Sequence, residues 1–192
     1  MSAGLADYLD LRIAVADHVK NRTISEVFPR LVLTAEALLN QELRHTLQIT
    51  LFVPPPPLNL GNPIPLPDDF LEAASVQDSF GNELPGTSLG PDNVWTQSII
   101  AKIYYYAALP TLTTTSTTTN WLLDRFPNVY IYATAFEAAK FLRDAELAKT
   151  FYATMPNGKR MGLLADELKR LKIDDDRHRF GLAVTRVQGD IV

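Results

Sequence analysis

Residues 127–142 read PNVYIYATAFEAAKFL, and their reading decides the fold. Proline costs a helix nothing at its first position, because that amide has no intrahelical partner and φ is already near the helical value. From Val129 to Leu142 the stretch is strongly apolar and carries Ala133, Ala135, Ala138 and Ala139. Small side chains let neighbouring helices approach closely, so the stretch predicts a helix packed tightly against others. Its one carboxylate, Glu137, predicts an ion pair with Lys140 at i+3 or with an arginine of another helix, such as Arg12 or Arg22.

Working outward, Asp144 is placed to cap a further helix reaching Met155, and Pro156-Asn157-Gly158 to break it. Arg160 to Ile173 is amphipathic through Leu163, Leu164, Leu168 and Leu171. Beyond Asp174 the chain turns polar, then ends in FGLAVTRV over residues 180–187, which reads as strand. Upstream, a helix resumes at Asn120-Trp121-Leu122-Leu123. Thr111 to Thr119 holds seven Thr and one Ser. Residues of that kind disfavour helix and bury little, so an exposed, flexible, extended loop is expected.

The N-terminal part predicts a helical hairpin. Leu5, Tyr8, Leu9, Arg12, Ile13, Ala16 and Val19 form a core-facing stripe on a helix from Ser2 to Lys20. Thr23 and Glu26 have the spacing of a capping box. It would open a second helix from Ile24 to about Leu47, kinked or restarted at Pro29. That helix would bury Val27, Leu31, Ala35, Leu38 and Leu39 and wet Glu36, Glu42 and Arg44. From Thr46 to Pro110 the period changes to two. Strands are expected at 47–53, 71–76, 83–84 and 97–107, with a turn at Phe80-Gly81-Asn82. Both faces of the 97–107 segment are apolar, which suits a central or covered strand. Seven of the 13 prolines fall between Pro54 and Pro67. They mark a stiff extended connector, with an SH3-type ligand as the other reading.

The fold class that follows is α+β, mainly α: a helical bundle of an N-terminal hairpin and C-terminal helices, a small β insertion and an extended C-terminal tail. The divisions fall at 1–46, 47–110, 111–173 and 174–192.

The 192 residues include no Cys, which excludes disulfide frameworks, cysteine-bound metal and a Cys nucleophile. The start MSAGLADYLD has neither the basic nor the apolar region of a secretion signal, and no stretch reaches the roughly 20 apolar residues of a membrane span, so a soluble intracellular protein is expected. A net charge of −4 argues against a dedicated nucleic-acid binder. The charge is uneven: residues 1–155 carry 10 Lys/Arg and 16 Asp/Glu, residues 156–192 carry 8 and 6. An acidic body with a basic tail suggests a separate contact surface in the tail.

Chemistry is sparse. His18, His45 and His178 are isolated, and a triad or metal site needs converging partners. Asp174-Asp175-Asp176 lacks the Gly and distal Glu of a calcium loop. No glycine-rich phosphate loop or GxSxG motif occurs. A non-enzyme without cofactor or metal is expected. A carboxylate pair of Glu137 with Asp124 would be needed for the competing reading, one that includes cell-wall hydrolase activity. A third reading is a helical scaffold module binding through Pro54 to Pro67.

One pattern goes beyond these rules. Residues 103–112, IYYYAALPTL, resemble the "vYY…iPaLs" strand of tailed-phage head–tail adaptor (connector) proteins. Thr119-Asn120-Trp121-Leu122-Leu123, Pro127, Tyr130-Ile131-Tyr132 and Glu137-Ala138-Ala139 are similar to that family's "tNWLl..hPdlYlYa.l.eAa.yl.D" segment, with Asp144 at its acidic helix start. Leu66-Pro67-Asp68-Asp69-Phe70 resembles "LPaDf", and Ala35 to Arg44 resembles the family's "lAea.lnr.Lr" helix. The stretch between Asp78 and Gln97 is short for the family, and the run Pro54 to Pro57 is unusual for it.

The resemblance implies a virion protein: a ring, usually dodecameric, beneath the portal, which continues the DNA channel. It implies as partners other copies of the chain, the portal protein and a distal tail component (stopper, tail terminator or nozzle). DNA would pass without sequence-specific contact, no membrane would be involved, and assembly would occur in the host bacterial cytoplasm. On this reading Trp121, Tyr130, Glu137 and Phe141 serve ring packing or anchor the core. Arg177, Arg179, Phe180, Leu182, Val184, Arg186 and Val187 in the tail dock on the portal, by strand addition or by wedging between subunits.

Overall fold

The structure, a computed structural model, describes residues 7–21, 23–54, 64–84, 88–89, 93–95 and 100–188; for 88–95 and 180–188 it describes backbone alone. The described helices are α1 (Tyr8–His18), α2 (Phe28–Glu42), α3 (Trp121–Arg125), α4 (Pro127–Phe141), α5 (Ala145–Phe151) and α6 (Leu163–Gln188). The strands are β1 (Ile49–Phe52), β2 (Ile64–Pro65), β3 (Phe70–Gln77), β4 (Ser88–Leu89), β5 (Asn93–Trp95), β6 (Lys102–Ala107), β7 (Ala153–Thr154) and β8 (Arg160–Met161). They form two compact units: a helical one, Met1–Leu43 with Leu109–Val192, and a β one, Arg44–Ala108. The α+β, mainly α class holds.

The helical unit is organised by α4, against which α1, α2, α3, α5 and α6 all pack. Its buried residues, Val129, Tyr130, Ile131, Ala133, Thr134, Ala135, Glu137, Ala138 and Ala139, occupy nearly every face. A helix apolar all round belongs inside a bundle. Short side-chain caps set the starts of α3 and α5. Asn120 accepts from the Leu123 amide (3.0 Å) and Asp144 from that of Leu147 (2.9 Å).

Several expectations are corrected. The N-cap of α1 is Asp7, and residues 2–6 of its expected span lie outside the described residues. The helix buries Tyr8, Leu11, Val15 and Val19, whereas Leu9 and Ile13 are 46% and 58% exposed. Apolar residues occupy two opposite faces of α1, and the Leu11–Val15 face meets the core. The Thr23–Glu26 capping box does not form. Both the amide and the hydroxyl of Thr23 donate to Asn21 Oδ1 (2.8 and 2.6 Å), and the segment is a 3-10 turn. Pro29 lies in the first turn of α2, so it starts that helix rather than kinking it. Glu36, expected to be wet, is buried.

Past Phe151, where α5 ends, Pro156-Asn157-Gly158 makes the turn of a β7–β8 hairpin, with Gly158 at φ 76. Part of the Thr-rich loop closes on itself through hydrogen bonds. Thr113 Oγ1 accepts from the amides of Ser116 and Thr117 (3.1 Å each), and the Thr113 amide donates to the Thr117 carbonyl.

The C-terminal tail is not extended where it is described: α6 continues without a break through Gln188. Side-chain pairs one turn apart carry the helix across the acidic run, Asp174 with His178 and Asp175 with Arg179. Residues 189–192 lie outside the described residues.

In the β unit β6 is the central strand, antiparallel to β1 on one side and to β3 on the other. Ile103 and Tyr105 face a small core with Ile64, Val76 and Ile100. The strand order β2-β5-β4 makes a second small sheet. The Asp78–Asn82 turn closes on the Asp78 carboxylate, which accepts from the amides of Phe80 and Asn82 (2.8 and 2.9 Å). The Asn82 side chain and these amides hold that carboxyl below its usual range. Of the proline-rich connector, residues 55–63 lie outside the described residues.

Candidate assembly surfaces

The helical unit carries one buried polar node. Tyr130, fully buried on α4, donates its hydroxyl to Glu36 Oε1 on α2 (2.6 Å), and the same oxygen accepts from the Leu112 amide (2.9 Å). Asn120 Nδ2 donates to the Tyr130 hydroxyl and to the Pro110 carbonyl (3.1 Å each). One turn along α2, Asn40 accepts from the Leu109 amide (2.9 Å). Side chains thus satisfy the backbone of residues 109–112, which no helix or strand pairs, and stitch it to α2 and α3.

Burial drives the Glu36 carboxyl upward, while hydrogen bonds from Leu112, Tyr130 and Thr111 hold it down in part. Burial, then the adjacent Glu36 charge, push the Tyr130 phenol far above its ordinary value.

Of the residues expected to pack the ring or anchor the core, Tyr130 is thus a core residue and part of this node. Trp121 opens α3 half-buried against the same core. Glu137 is buried and takes both carboxylate oxygens to Lys140 Nζ (3.0 and 2.9 Å), the i+3 pair. Phe141 is 54% exposed at the end of α4. Tyr130 and Glu137 therefore face inward, and Phe141 is available to a neighbour.

In the tail, α6 packs through Leu164, Ala165 and Leu171, and Asp175 is the last buried residue among its described side chains. Arg177 and Arg179 are exposed, Arg179 pairing with Asp175 (2.8 Å). Phe180, Leu182, Val184, Arg186 and Val187 follow on helical backbone, their side chains outside the described ones.

No catalytic grouping emerges among the described residues. His18 lies edge-on to Tyr132 and Phe151. His178 faces Asp174 at 3.4 Å. His45 is buried and caps a 3-10 turn at 46–48: its Nδ1 accepts from the Leu47 amide, while its own amide donates to Gln48 Oε1. Asp124 sits on α3 and accepts the Thr119 hydroxyl, and Glu137 is held by Lys140, so each carboxylate is engaged locally. No described cluster of three His, Asp or Glu is arranged to hold a metal ion. No described helix is long and apolar enough to cross a membrane.

Sequence reasoning missed Glu36, whose signal was its i, i+4 spacing to Asn40 on a helix otherwise burying Val32, Ala35 and Leu39. It also missed the His45–Gln48 capping box and Gly162. At Gly162 φ is +103, and a Cβ would lie 2.6 Å from the Phe151 carbonyl oxygen.

No curated protein matches the chain. A family model does: the one described as SU10 adaptor protein matches residues 89–186, just over half of the chain, from β4 through the Thr-rich loop and α3–α5 into the C-terminal part of α6. The sequence resemblance, the α4-centred bundle and this match converge: the chain belongs to the SU10 adaptor protein family, structural adaptors of phage heads and tails.

Proposed function

We propose that the chain is a ring subunit, dodecameric in the assembled virion, that sits beneath the portal, joins head to tail and continues the DNA channel. Membership in a structural adaptor family implies a non-enzymatic role in the virion, in contact with other head and tail proteins. The observation that carries the finer reading is α6. Its first half packs into the bundle as far as Asp175, and its second half continues as helix with Arg177, Arg179 and Arg186 along it. Docking then proceeds by a helix seated on the portal or wedged between its subunits, not by strand addition. Phe180, Leu182, Val184 and Val187 supply the apolar contacts.

The body, with 10 Lys/Arg against 16 Asp/Glu in residues 1–155, suits a bore that repels DNA phosphate during passage. Distal to the ring sits a stopper, tail terminator or nozzle.

Truncation after Asp176 tests the docking role. The shortened chain keeps every residue of α6 that is buried among the described side chains, so its circular dichroism and melting should stay close to wild type while it no longer joins portal-bearing heads. Unchanged joining would remove the tail from the interface.

A further inference from the structure

We propose that Asn157 is a self-modification site of the folded chain. Its side-chain amide is lost to attack by the Gly158 backbone nitrogen, leaving aspartate or isoaspartate at the tip of the β7–β8 hairpin.

The dipeptide Asn-Gly occurs once in the sequence, at residues 157–158. Asparagine is thermally labile, and a following glycine offers a main-chain nitrogen with no side chain to crowd its approach to Cγ. The hairpin puts this pair at its turn, where Pro156 to Arg160 are all exposed. Gly158 sits at φ +76, and a Cβ built there would meet nothing within 4 Å. Two hydrogen bonds act on the reacting atoms in opposite directions. Asn157 Oδ1 accepts from the Lys159 amide (3.0 Å). That donor draws charge from Cγ and stays on the oxygen as it turns negative under attack. The Gly158 amide, in contrast, donates to the Met155 carbonyl (2.9 Å), and the Met155 amide to the Lys159 carbonyl (2.9 Å). The attacking nitrogen is released only when this turn opens, so local opening gates the reaction. Arg160 restrains that opening through its pair with Glu42, which also accepts the Tyr152 hydroxyl (3.3 Å).

The reaction balances with water as its one co-reactant. Gly158 N bonds to Asn157 Cγ, the Cγ–Nδ2 bond breaks, and ammonia leaves carrying the Gly158 proton. Water then opens the five-membered imide. Cleavage at Cγ restores the main chain and gives aspartate. Cleavage at the main-chain carbonyl gives isoaspartate, whose backbone runs through the side chain and is one atom longer. Either product adds a negative charge beside Lys159. The longer backbone also shifts the register that both turn bonds require, while the buried Ala148, Phe151 and Leu164 of α5 and α6 stay in place.

The full chain, incubated in warm, mildly alkaline buffer and followed by peptide mapping, should accumulate aspartate and isoaspartate at position 157. Asn82 and Asn128, exposed but followed by Glu83 and Val129, should keep their amides over the same period. Arg160→Ala should speed the conversion several-fold, in step with faster hydrogen exchange at the Gly158 amide. An Asn157 amide that lasts as long as those of Asn82 and Asn128, or converts only in denaturant, would overturn the proposal. A conversion rate that does not follow Gly158 exchange between wild type and Arg160→Ala would overturn the gating.

Discussion

The helical unit and the β unit solve the problem of burial differently. In the helical unit one core runs from Tyr8 through Phe28, Leu39, Leu123 and Tyr130 to Leu171, with α4 buried on almost every side. Among the described residues, the β unit has a separate cluster of five buried ones, Ile64, Val76, Ile100, Ile103 and Tyr105, while Leu51 on the edge strand β1 is 47% exposed. Buried apolar area is the main source of stability. On that difference we predict that the helical unit is the stable scaffold and that the β unit opens first.

Paired core truncations should expose that difference most strongly. Phe28→Ala removes a fully buried ring that lies edge-on to Tyr8 at 5.3 Å, and should cost about 3–5 kcal/mol of global stability in denaturant unfolding. Ile103→Ala should cost about 2–5 kcal/mol where it acts. Hydrogen exchange should show the loss of protection confined to residues 44–108. Equal loss of protection in α4 would make the two units one cooperative block and break the comparison.

A smaller effect probes the polar node of the helical unit. Tyr130→Phe takes a donor from the buried Glu36 and an acceptor from Asn120, and should cost about 1–3 kcal/mol. The pH dependence of Glu36 sharpens the point. Its carboxyl is raised in the folded state, so the fold binds the proton more readily than the unfolded chain does. Its contribution is therefore fully present below the unfolded value near 4.5 and is lost as pH rises through the higher folded value. Glu36→Gln should flatten that part of the stability–pH curve, as measured by melting between pH 4 and 8. A curve unchanged by the substitution would remove Glu36 as its source.

What the sequence made legible follows from local rules. Pro127 with the alanine-rich run found α4, the two apolar faces of residues 97–107 found the central strand, and Asp144 marked a cap. Other features depend on which face a neighbour covers, which no local rule contains. Leu9 and Ile13 read as core because α1 is apolar on two sides, and only the packing of α4 selects between them. Glu36 read as wet because its partners, Tyr130 and the Leu112 amide, lie 94 and 76 residues away. The end of α6 read as strand because β-branched residues outweighed the i, i+4 pairs that carry the helix through Asp174 to Asp176. The tail's residues stand as docking candidates, while their conformation changes the docking mode from strand to helix.

The central claim is assembly on the portal, and counting copies tests it most directly. Mass photometry of the chain with and without the portal should give a monomer alone and, on the portal, a discrete complex heavier by a full ring of 21.4 kDa subunits. A chain that stays monomeric beside an intact portal, or binds it as single copies, would contradict the account.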